Sequence, residues 1–146
     1  MGAQFSIYDK DMNGDVIKLI FWDIAGQDDF KFLHPLFYKE SRACIIVCSL
    51  EENNLGIDSF THIKNWYDES YKYCGTIPVV LFANKVDLVN ENEFDNIKIQ
   101  NIVDKYNFLG SYLTSAKTGQ GVVDAFNAII EKLYSKFKKL QSKDSI

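Results

Sequence analysis

Three stretches of this chain, residues 16–22, 43–50 and 77–83, are apolar at nearly every position, and each runs directly into a polar cluster. A strand that is apolar on both faces has to be covered on both faces. Amphipathic segments alternate with these runs. Phe60, Ile63, Trp66 and Cys74 recur at roughly helical spacing in 58–74, and Phe94, Ile97, Ile102 and Tyr106 do so in 93–106. Val122, Phe126, Ile129, Leu133 and Phe137 form one stripe of a last helix, whose end carries Lys132, Lys136, Lys138 and Lys139, where the helix dipole favours cations. A short strand is expected over 108–114. The alternation calls for right-handed crossovers and an α/β fold with a mainly parallel sheet flanked by helices. At the start, Asn13-Gly14 separates two strand-like segments, 4–11 and 16–23, and predicts an antiparallel hairpin. Residues 30–39 are aromatic-rich and contain Pro35, so they read as a short, irregular helix.

The 146 residues suit one domain, and 47% hydrophobic residues with two prolines exclude a disordered chain. A net charge of −4 gives no footprint for nucleic acid. Cys44 and Cys48 sit four apart on one expected strand, roughly 13 Å end to end, too far to bridge. With Cys74 alone, a reducing, intracellular setting is expected. His34 and His62 have no second ligand at metal spacing and read as surface or packing residues.

The polar clusters that carry chemistry are Asp23-Ile24-Ala25-Gly26-Gln27 after 16–22, Asn84-Lys85-Val86-Asp87 after 77–83, and Ser115-Ala116-Lys117 after the short strand of 108–114. In an open α/β sheet ligands bind outside the carboxyl ends of the strands, so the three should converge. Asp23 stands where a metal or phosphate is met. Gly26 allows close backbone approach, and the Gln27 amide can orient a water. Asp87 can accept two hydrogen bonds from the N1–H and N2–H₂ edge of guanine, a donor pair that adenine lacks. Asn84 can hold the loop and reach the N7 side. The aliphatic stem of Lys85 can cover a ring face with its charge near water. The Ala116 N–H can donate to guanine O6, and Lys117 can flank the base. The bland readings are that Asp23 is a turn or cap residue and that 84–87 is an ordinary polar turn.

These residues resemble the small GTPases of the Ras superfamily: Asp23-x-x-Gly26-Gln27 is similar to their switch II motif, Asn84-Lys85-x-Asp87 to their guanine-specificity motif, and Ser115-Ala116-Lys117 to their last base-binding loop. Trp22 to Gln27 resembles the Rab branch most. The resemblance implies GTP/GDP and Mg²⁺ as ligands, with Asp23 holding Mg²⁺ through water, Gly26 sensing the γ-phosphate and Gln27 as the catalytic residue of hydrolysis. It also implies effector, exchange-factor and GTPase-activating partners at Phe5, Trp22 and residues 24–40, with an aromatic contributed by Phe37 or Tyr38, and a role in vesicle trafficking.

Two parts of that pattern are missing from these residues. No Gly-x-x-x-x-Gly-Lys-[Ser/Thr] loop occurs, and the switch I threonine is absent. The chain therefore reads as an incomplete G domain over 1–140 with a short polar tail over 141–146, a fragment without the family's central first strand and first helix. Apolar strands without that partner are expected to make the chain poorly stable or aggregation-prone on its own. No cysteine follows Cys74, so no prenyl anchor is expected in this chain. The expected location is cytoplasmic, with endomembrane association only for a longer, lipidated product. The rival reading is a nucleotide-free pseudo-GTPase that serves as an interaction scaffold. Ser49 stands where many Rabs carry aspartate.

Overall fold

The computed structural model describes residues 3–24 and 28–144. Asn13 and Gly14 both adopt positive φ, 56° and 90°, the combination that a two-residue hairpin turn requires. They join β1 (Ala3–Met12) to β2 (Asp15–Ile24) in an antiparallel pair whose register sets Phe5 opposite Trp22 and Ile7 opposite Ile20. The hairpin forms a sheet of its own. A second sheet is parallel, in the order β3 (Cys44–Ser49), β4 (Val79–Asn84), β5 (Gly110–Leu113).

Alternation along β4 divides the core. Val79, Leu81 and Ala83 join Ile46, Cys48, Ile63, Ile99, Val103 and Phe108 on one face. This layer is covered by α2 (Asn54–Thr61), α3 (Ile63–Cys74) and α4 (Ile97–Tyr106). Val80 and Phe82 point the other way, onto Ala125 and Ile129 of α5 (Val122–Asp144). The hairpin docks on the same helix: the Phe126 ring lies 5.5 Å from Tyr8, 4.8 Å from Phe21 and 6.0 Å from Phe82. One aromatic side chain thus touches both sheets.

Several sequence expectations change. The run 16–22 is not covered on both faces: Val16, Ile20 and Trp22 are exposed while Ile17, Leu19 and Phe21 are half-buried toward α5. In β3, Val47 is 52% exposed rather than buried. The expected helix over 58–74 is two helices meeting at His62, because Thr61 Oγ1 (2.8 Å) and His62 Nδ1 (2.6 Å) both turn back to the Asp58 carbonyl. Pro35 does not interrupt a helix. It occupies the first turn of α1 (His34–Tyr38), where its missing N–H costs nothing, after a 3₁₀ segment over Asp28–Leu33. The strand expected over 108–114 is confined to Gly110–Leu113, and α4 starts at Ile97 rather than 93. Helix α5 continues through residue 141 to Asp144.

Candidate nucleotide-base site at the ends of β4 and β5

Strands β4 and β5 run in parallel, so the polar residues after them emerge side by side. Asn84 closes β4, and Lys85 turns the chain with φ 68° and ψ 34°, a left-handed conformation that starts the 3₁₀ turn Val86–Leu88. The Val86 N–H donates to the Thr114 carbonyl (3.0 Å), which ties this turn to the end of β5. Three further bonds join the loops. Asn84 Oδ1 accepts from Thr114 Oγ1 (3.2 Å) and from the Ala116 N–H (3.1 Å), and Asp87 Oδ1 accepts from Ser115 Oγ (2.7 Å). Thr114 and Ser115 are buried, while Asp87, Ala116 and Lys117 are exposed.

The result is a rigid floor with an accessible edge. Asp87 has one oxygen fixed by a buried hydroxyl and the other without a partner among the described residues. Asn84 spends its carbonyl on the neighbouring loop, which leaves its amide –NH₂ as the group able to reach an N7-type acceptor. One expectation is revised: the Ala116 N–H meets Asn84, so in this arrangement it is not aimed outward for guanine O6. Lys117 lies beside the edge on the exposed turn.

Sequence reasoning missed Glu51. Its carboxylate Oε2 lies 2.8 Å from Lys85 Nζ and accepts from Ser49 Oγ (3.0 Å). The hydrogen bond from Lys85, then that from Ser49, holds the Glu51 carboxyl below its ordinary range. Glu-Glu-Asn-Asn in a loop carries no signal of this kind, since charged loop residues are ordinarily solvated.

Asp23 lies at the exposed end of β2, opposite Gln4, in the hairpin sheet. Among the described residues no hydrogen bond or ion pair connects it to 84–87 or 115–117, so the structure brings together two of the three clusters. Gly26 and Gln27 lie outside the described residues. Asp23 is exposed, and among the described residues no group of three His, Cys, Asp or Glu could hold a metal directly.

The aromatics Phe32, Phe37 and Tyr38 divide between surface and core. Tyr38 is buried on α3, stacked on Tyr73 at 5.6 Å, whereas Phe32 is 75% exposed. Phe37 is the aromatic that meets Trp22, at 5.3 Å, and Trp22 meets Phe5 at 5.6 Å. His34 is buried, with Nδ1 2.8 Å from Glu69 Oε1.

A parallel sheet flanked by helices, with polar loops at two adjacent strand ends and an antiparallel hairpin beside it, fits the fold of a small GTPase. The chain belongs to the Ras family, whose sequence pattern matches residues 1–135. It is Rab-like: it is 30% identical over 142 residues to the Ras-related protein Rab-1D of Dictyostelium discoideum, covering 97% of this chain and 67% of that protein. It is 35% identical over 140 residues to the GTP-binding protein YPT53 of Saccharomyces cerevisiae, covering 91% and 61%, and 33% identical over 135 residues to Ras-related protein Rab-18-B of Danio rerio, covering 91% and 63%. The chain thus spans about two thirds of the length of these curated relatives.

Proposed function

We propose that this chain carries the guanine-reading half of a Rab-like GTP/GDP switch that serves vesicle trafficking. The observation that carries the reading is Asp87, an exposed residue after β4 whose Oδ1 is fixed by buried Ser115. A carboxylate in that state can accept the N1–H and N2–H₂ pair of guanine, a donor pair that adenine lacks. Asn84 holds the two loops in register and presents its –NH₂ to the N7 side. Lys85 and Lys117 border the ring faces. In the whole switch Asp23 holds Mg²⁺ through water, Gly26 senses the γ-phosphate, and Gln27 orients the attacking water. Bound Mg²⁺ supplies charge neutralisation at the phosphates. Residues 1–140 act as the G-domain part and 141–146 as its polar end, in the cytoplasm.

The outer hairpin face supports the partner side of the reading. Phe5, Ile7, Ile20 and Trp22 are exposed on one face, and Phe37 of α1 extends it. Exposed contiguous aromatics of this kind suit effector, exchange-factor or GTPase-activating partners. The same face favours a second reading, a scaffold that binds proteins without nucleotide.

Titration with guanosine and adenosine monophosphates separates the two. The amide resonances of 84–88 and 114–118 are expected to shift with the guanine nucleotide and not with the adenine one. Asp87→Asn should reduce that affinity at least about tenfold, the scale of a lost charge-assisted pair. A chain that responds to neither nucleotide while binding protein partners through Trp22 is a scaffold.

A further inference from the structure

Lys85 does not stand free in its loop. Glu51, in the connection between β3 and α2, holds the Lys85 ammonium at 2.8 Å, with side chains 20% and 44% exposed respectively. Glu51 is itself held. Its Oε2 accepts from Ser49 Oγ (3.0 Å), and the same hydroxyl accepts from the Glu51 N–H (3.2 Å). The Ser49 N–H donates to Ser59 Oγ (2.8 Å), which in turn donates to the Gly56 carbonyl (2.8 Å). The chain of bonds therefore runs from α2 through Ser49 and Glu51 to Lys85.

Two backbone features fix this brace. Leu50 donates to the Asn84 carbonyl (2.9 Å), which sets the Glu51 loop against the start of the base-reading loop. Gly56 is buried, and a Cβ there would collide with the Glu51 carbonyl oxygen, so only glycine lets α2 approach so closely.

We propose that Glu51 is a positioning residue that fixes Lys85 along the face of the bound base, with Ser49 and Gly56 fixing Glu51. The inference rests on the guanine-site reading above. Lysine loses a long, flexible stem's rotamer freedom when it covers a ring, and a partner already holding its ammonium removes that cost before ligand arrives. Glu51 does not touch the base and adds nothing to its hydrogen-bond pattern. It sets affinity, and Asp87 sets base identity.

A double-substitution cycle on the full chain tests this. Guanosine monophosphate is titrated against the native chain, Glu51→Gln, Lys85→Met and the double variant, with the amides of 114–118 as the readout. Glu51→Gln should weaken binding about three- to tenfold when Lys85 is present and change it by less than about twofold beside Lys85→Met. The preference over adenosine monophosphate should stay as in the native chain. Gly56→Ala leaves every charge in place and displaces the Glu51 backbone, so it should weaken binding in the same Lys85-dependent way. Equal losses with and without Lys85, or no loss, overturn the positioning role and leave the guanine reading intact. No response of the native chain to the guanine nucleotide overturns that reading and the inference with it.

Discussion

Ser115 is fully buried, yet its hydroxyl works at the surface by gripping Asp87 at 2.7 Å. It also accepts from the Thr118 N–H (3.1 Å), so one oxygen shapes the loop and aims the acid. Ser115→Ala should therefore weaken guanosine monophosphate binding several-fold, less than Asp87→Asn, and lower stability by about 1 kcal/mol, the usual net worth of such a bond. Titration and denaturant unfolding of the same variant check both halves. The thiols offer a second residue-scale expectation. Burial pushes the Cys44 thiol up to about 12, with Cys74 nearby adding to the effect, and pushes Cys48 up to about 11. Both stay protonated at neutral pH, and the buried Cys48 should be labelled by an alkylating reagent only as the chain opens. At this scale the placement of Asn84, Asp87 and Ser115 side by side was legible because their clusters follow expected parallel strands. Glu51 and the His34–Glu69 pair were not, since their partners lie 34 and 35 residues away along the chain.

Helix α5 is the element on which the two sheets depend. Its stripe was legible from periodicity, but its use was not: Phe126 serves the parallel sheet and the hairpin together. Truncating this half-buried ring should cost roughly 2–4 kcal/mol, near the low end for aromatic-to-alanine changes. The loss should appear first as faster amide exchange in β1 and β2. Farther along, Asp15 Oδ2 accepts from Tyr134 Oη and meets Lys138 Nζ, both at 2.9 Å. The hydrogen bond from Lys138, then that from Tyr134, lowers the Asp15 carboxyl, and Asp15 raises the Lys138 ammonium. A lowered acid contributes stability above its ordinary pKa and loses it as pH falls through the lowered value. A raised base contributes below its ordinary pKa and loses it as pH rises through the raised value. The clamp is thus complete at neutral pH and opens at both extremes. Both groups are half-exposed, so salt should weaken it too. Hairpin amide exchange against pH should show a plateau at neutrality, lost in Asp15→Asn.

At the scale of the whole molecule, the two sheets share no strand pairing among the described residues, and α5 packs on both. The edge of β2 away from β1 and that of β3 away from β4 have no strand partner among the described residues. Apolar runs 16–22 and 43–50 led the sequence to promise strands covered on both faces. Ile20 is instead 55% and Val47 52% exposed, because covering side chains come from elements that a strand's own residues do not encode. Such edges are templates for pairing with another chain. Unfolding should therefore occur in two steps. The hairpin, held by α5 and by Trp22 against Phe37, should open first, with β4 opening last because its two neighbours and both core layers protect it. Residue-resolved hydrogen exchange decides this. Equal protection of β2 and β4, with one sharp thermal transition from a soluble monomer, would show that α5 alone makes the two sheets a single cooperative unit. Unequal protection, with self-association that rises as the hairpin opens, identifies the strand edges as the weak point. Val47→Lys, on the exposed strand face, should then suppress association with little effect on the loops of 84–88 and 114–118.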